Sequence, residues 1–192
     1  MYPRLLIDTE KAAQNARLIR SICLSSGVEP VAVVKGFNGL WPLTEAMIAA
    51  GYKRIGSSRI PQLRAVKESG AKVETMALRI PMLSELEELV RWCDISLASE
   101  PDILYALDRE AAAQKRIHKV ILMRDVGDLR EGIISRERFY AVAEMTEREL
   151  PHLYLEGIGT NMTCYGSILP TPDNTGELVE DAKEIERRIG RR

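Results

Sequence analysis

Short apolar runs alternate with helix-period segments along almost the whole chain, and this restricts it to an α/β fold built on parallel strands. The strand-like runs are Leu5–Ile7, Val31–Val34, Lys53–Gly56, Lys72–Leu78, Ile95–Ala98, Lys119–Met123 and Leu153–Ile158. A first helix carries Ala12, Ala16, Ile19 and Cys23 at helical spacing, and a second carries Leu43, Ala46, Met47 and Ala50. Pro61–Glu68 and Ser135–Thr146 are helical as well. Ser84-Glu85-Leu86-Glu87 and Asn174-Thr175-Gly176-Glu177 resemble capping boxes, the latter opening a helix to about Ile189. Ser99-Glu100-Pro101-Asp102 predicts a capped helix with Pro101 in its first turn. The pattern fits a doubly wound sheet or a (β/α)8 barrel, although a barrel usually needs about 250 residues and this chain has 192. No GxGxxG turn or P-loop is present, which weakens the case for a nucleotide-binding sheet. With no internal repeat, low-complexity tract or long linker, residues 1–192 read as a single domain.

A formal charge of −1 gives no case for nucleic acid or an anionic membrane surface. No apolar run approaches a membrane-spanning length, and the amino terminus lacks the apolar stretch of a signal peptide. Cys23, Cys93 and Cys164 are odd in number and widely spaced, which suggests neither a disulfide framework nor a metal cluster. A reducing cytoplasm is the expected compartment.

The sharpest local feature is Val31-Ala32-Val33-Val34-Lys35-Gly36-Phe37-Asn38-Gly39, a buried-strand run with a lysine directly at its carboxyl end. Parallel α/β folds place their ligands at that end of the strands. A desolvated lysine there would have a lowered pKa, and its neutral amine could form a Schiff base. The alternative is a lysine that reaches solvent over its own buried stem. Other uncommon residues fall at equivalent positions: Asn38, Ser57, Ser58, Arg59, Arg79, Ser99, Glu100, Arg124, Asp125, Asp128, Arg130, Thr160, Asn161, Cys164 and Tyr165. In a parallel barrel all of them would ring one mouth. The loop Arg124–Gly132 could hold a guanidinium against an anionic ligand atom, or could be a surface salt-bridge loop. Cys164 could be a nucleophile, but His118 and His152 both sit near the amino ends of strands, away from it.

These segments together resemble the fold-type III pyridoxal-phosphate enzymes, the alanine-racemase-like barrels, and within them the ornithine racemase group of amino-acid racemases. The matching pieces are Leu6-Ile7-Asp8 with the Asn15 helix, Val33–Phe37, Gly56–Ile60, Asp125–Gly132, Gly157–Asn161 and Cys164–Gly166. The resemblance implies that Lys35 carries pyridoxal phosphate as an internal aldimine and, once freed, serves as one of two bases. Arg130, in Gly127-Asp128-Leu129-Arg130-Glu131-Gly132, is implied to contact the cofactor's phenolic oxygen. Lys35 and Arg130 are therefore the expected catalytic residues. The expected cofactor contacts are Lys35, Ser58, Arg59, Arg130, Thr160, Asn161 and Tyr165, with no metal. Asn161 falls where alanine racemases hold a histidine against the pyridine ring.

Two departures argue against alanine racemase proper. Gly39 stands where those enzymes have a tyrosine, and Met123 where they have a lysine. The expected substrate is a basic amino acid such as ornithine. If Leu5–Ile7 lies outside the barrel, six barrel strands remain, so the domain is expected to stop short of the last strands and of the carboxyl-terminal β domain. Such a chain is expected to form a homo-oligomer or to be completed by a second chain. Two alternatives stay open: a pyridoxal-phosphate-binding protein without turnover, and a half-barrel that binds a partner without cofactor.

Overall fold

The computed structural model describes residues 3–163 and 168–191. The chain forms two compact units, Met1–Ala77 and Leu78–Arg192. In the first unit the order is α1 (Thr9–Ser25), β1 (Val31–Val33), a 3-10 turn (Lys35–Phe37), α2 (Trp41–Ala49), β2 (Arg54–Ser57), α3 (Ile60–Glu68) and β3 (Glu74–Ala77). Both strand pairs are parallel, with Val31 opposite Arg54 in the first and Arg54 opposite Glu74 in the second. Its core centres on Val34, Ile55, Leu63 and Val66.

The second unit runs through a 3-10 turn (Leu83–Glu85), α4 (Leu86–Trp92), β4 (Ile95–Ala98), α5 (Pro101–Ala113), β5 (His118–Met123), α6 (Arg136–Glu149), β6 (Leu153–Gly159) and α7 (Pro172–Ile189). Here too both strand pairs are parallel. Between β5 and β6 the register shifts: Val120 faces Leu155 but Ile121 faces Gly157, so Glu156 is an extra residue in β6. Leu89, Val90, Ile95, Leu104, Leu107, Val120, Leu122 and Phe139 fill the core. In β4 all four residues are buried, so both faces of that strand are covered. Among the described residues no helix is long and apolar enough to cross a membrane.

Several local expectations are corrected. Leu5–Ile7 is not a strand, and Leu5 and Leu6 are 85% and 89% exposed. A strand exists through its ladder partners, and among the described residues this run has no strand assignment. Of the four apolar residues at helical spacing on α1 only Ala16 is buried. Tyr52 donates its hydroxyl to the Ala16 carbonyl, and Leu18, Ile19 and Ile22 lie exposed. The Ser84 box is displaced: the Glu85 carboxylate instead accepts from the Met82 amide at 2.9 Å. Neither Ser99 nor Glu100 caps α5 with a side chain; Glu100 is the N-cap, without such a bond. The last helix opens three residues early, where Thr171 and Asn174 form the reciprocal box and Asn174 is its third helical residue.

Candidate active site

The first unit presents Lys35 on a tight turn. Val34 is fully buried and its amide donates to the Gly56 carbonyl, which fixes the end of β1 against β2. The chain then closes a 3-10 turn: the Asn38 amide donates to the Lys35 carbonyl and the Gly39 amide to the Val34 carbonyl. Asn38 and Gly39 both adopt left-handed backbone, with φ of 56° and 68°. Lys35 is exposed, and its amine makes no hydrogen bond or ion pair among the described residues. The residues of this unit therefore do not supply the desolvated setting that sequence reasoning placed around it.

Beside the turn runs a set of hydrogen bonds. Ser57, fully buried at the end of β2, donates to Gln62 Oε1 at 2.6 Å and accepts from the Arg59 amide at 3.1 Å. Asn38 Oδ1 accepts from Gln62 Nε2 at 2.9 Å and from the Arg59 guanidinium at 3.3 Å. Ser57, Arg59 and Asn38, all singled out by position in the sequence, are thus brought together. Ser58, between them, is half-buried. Gln62 was not foreseen; its only signal is a glutamine in the first turn of the helix that follows a strand end.

In the second unit the segment after β5 separates two arginines that looked alike in sequence. Arg124 is buried at 6% exposure and is a staple. Its guanidinium donates to the carbonyls of Asp125 and Ile133, at the two ends of the loop, and to Asp181 Oδ2 at 3.1 Å. Asp181, fully buried on α7, also accepts from the Tyr140 hydroxyl at 2.6 Å and pairs with Arg136 at 3.0 Å. Burial and that carboxylate push the Tyr140 phenol above its ordinary pKa. Asp125 Oδ1 accepts from the Gly127 and Leu129 amides inside the loop. Gly132 (φ 114°) packs so closely that a Cβ would fall 2.8 Å from the Arg124 and Asp125 backbone.

Arg130 is the other arginine. It is exposed and lines a cleft of about 450 Å³ with Ser99, Glu100, Asp125, Glu131 and Gly132. Asn161, just past β6, donates to Asp128 Oδ2 at 2.9 Å, and Asp128 is only 7% exposed. The Thr160 hydroxyl is buried without a hydrogen-bond partner among the described residues. Such a group is costly unless something completes it. Cys164 and Tyr165 lie outside the described residues.

The two histidines are where the sequence put them, at or before the amino ends of β5 and β6. His118 is buried against Ser96 Oγ at 2.9 Å, and burial, aided by the Arg116 charge, lowers its pKa to about 4.

The first unit thus presents an exposed primary amine on a hydrogen-bonded turn, and the second an arginine at a cleft and a buried hydroxyl without a partner among the described residues. Residues 7–189 match the family described as alanine racemase, N-terminal domain. The chain is 37% identical over 186 residues to an ornithine racemase of Acetoanaerobium sticklandii, covering 96% of this chain and 52% of that protein. It is 35% identical over 190 residues to a lysine racemase of Thermotoga maritima, covering 99% and 52%. It thus spans about half the length of these curated relatives. The solved structure of PipY from Synechococcus elongatus, with pyridoxal phosphate bound, superposes with a TM-score of 0.72 at 17% identity, covering 93% of this chain and 84% of PipY.

Proposed function

This chain belongs to the alanine racemase N-terminal domain family, and from that premise we propose that it is the cofactor-lysine part of a pyridoxal-phosphate-dependent racemase of basic amino acids. The observation that carries the proposal is the Lys35 turn, an exposed amine at the carboxyl end of a parallel strand, held by backbone hydrogen bonds on both sides. When bound, pyridoxal phosphate supplies the electron sink that makes an amino acid's Cα–H acidic. Lys35 would attach the cofactor and would take or return the Cα proton on one face. Arg130 would donate to the cofactor's phenolic oxygen, Asn161, held by Asp128, would serve its ring, and Ser58, Arg59, Thr160 and Tyr165 would be further contacts. The names of the two curated relatives support a substrate with a second amino group, and Glu100 and Glu131 at the Arg130 cleft suit its distal ammonium.

The test is borohydride reduction of the protein mixed with pyridoxal phosphate, followed by peptide mapping and then racemisation assays on ornithine, lysine and alanine. A label on Lys35 with turnover of a diamino acid is expected. Label scattered over surface lysines would refute the assignment. A label on Lys35 without turnover would favour a second reading, a protein that holds the cofactor but does not racemise. The cofactor-bound PipY structure, 84% of which this chain covers, is the observation behind that reading.

A further inference from the structure

We infer that Gln62 is the positioning residue of the Lys35 turn, and that Gly39 is glycine in order to admit it; the inference rests on the reading of Lys35 as the cofactor lysine. The orientation of every group in the network follows from one fact, that a guanidinium can only donate. The Asn38 atom facing Arg59 must then be its oxygen, so the Gln62 atom facing that same oxygen must be its NH2 group. This leaves the Gln62 oxygen toward Ser57, whose hydroxyl therefore donates to it at 2.6 Å. Ser57 keeps a lone pair for the Arg59 amide at 3.1 Å. The relay has a single polarity from the end of β2, through α3, to the turn after β1.

Its last member is the residue that closes the Lys35 turn. The Asn38 amide donates to the Lys35 carbonyl, and Asn38 holds a left-handed conformation that asparagine tolerates better than most side chains. The Gln62 stem lies directly on the next residue: a Cβ at Gly39 would come 3.0 Å from Gln62 Cγ and 3.2 Å from its Cβ. Space that a side chain at position 39 would occupy is filled by Gln62, which brings a donor and an acceptor to the turn from a neighbouring helix.

Four versions of the full chain test this: wild type, Gln62→Leu, Gln62→Glu and Asn38→Asp. Gln62→Leu keeps the shape and removes both bonds, whereas Gln62→Glu keeps the acceptor for Ser57 and loses the donor. Asn38→Asp keeps the acceptor for both partners and tolerates left-handed backbone. Two quantities are read. One is hydrogen exchange of the Asn38 and Gly39 amides, with the β5 amides as a control for global stability. The other is pyridoxyl label on Lys35, formed as the amine condenses with the cofactor aldehyde, releases water, and is reduced at the C=N bond by borohydride. Removing the exposed Gln62–Asn38 bond should speed exchange at Asn38 and Gly39 about threefold in both Gln62 variants. Label on Lys35 should fall in parallel, the β5 amides should not change, and Asn38→Asp should match wild type. Unchanged exchange in both Gln62 variants, or an Asn38→Asp protein as perturbed as Gln62→Leu, would overturn the inference. A wild type without label on Lys35 whose turn still loosens in Gln62→Leu would instead refute the cofactor reading and leave the positioning role standing.

Discussion

Gly39 and His118 are the residues at which single-atom arguments have the largest measurable consequences. Gly39→Ala adds a methyl at φ 68° and drives it into the Gln62 stem. The left-handed backbone alone should cost about 1–2 kcal/mol, read as a lower urea midpoint. Lys35→Ala should abolish the borohydride-trapped label while leaving that midpoint within about 0.5 kcal/mol of wild type, because the side chain is exposed. His118 sets an acid limit. Its folded pKa of about 4 lies below the ordinary value of 6.5, so between those values the unfolded chain binds a proton that the folded one refuses. Stability should be intact above pH 6.5 and fall by about 1.4 kcal/mol per pH unit down to about 4. Urea titrations at several pH values check this, and a His118→Gln protein should show a flatter profile. At this scale the sequence was legible where position is local: Lys35 does follow β1 and Arg130 does lie on the loop after β5. It was not legible at Gln62 or Asp181, whose partners are fixed by packing between distant segments.

Among elements, α7 has the least expected duty. Through Asp181 it reaches the Arg124 staple, and through Arg124 both ends of the loop that carries Arg130. Asp181→Asn should leave a buried guanidinium without its counter-charge, at about 3–5 kcal/mol. Hydrogen exchange should then show the amides of Gly127 and Leu129 losing protection before those of β5. The sequence located α7 from a capping box but placed that box three residues late. Both Thr171 and Asn174 are capping residues by type, and only the path of the chain decides which one stands first. Continuous apolar runs and helix-period or capping signals located the six strands and seven helices of the described residues. Leu5–Ile7 failed because three apolar residues cannot show whether a neighbouring strand exists to receive them.

For the whole molecule, the exposed apolar row on α1 is the feature with a solution-state consequence. Leu18, Ile19 and Ile22 are each more than half exposed. Light scattering should give a mass above the 21.6 kDa of one chain. Ile19→Glu should shift it toward that value; a clean monomer from the unaltered chain would show that this face is simply tolerated in water.

The extra residue in β6 carries a different kind of consequence. Since Val120 pairs with Leu155 and Ile121 with Gly157, Glu156 is absorbed between two matched stretches and works as a spacer that bends β6 without changing which partner each residue faces. Deleting Glu156 should preserve the ladder with β5, and the circular dichroism that reports it, while straightening the end of β6 that leads to Thr160 and Asn161. One codon would then separate two equally folded sheets that aim their last strand differently, so the loss of a bend could move the donors beyond it without unfolding the sheet.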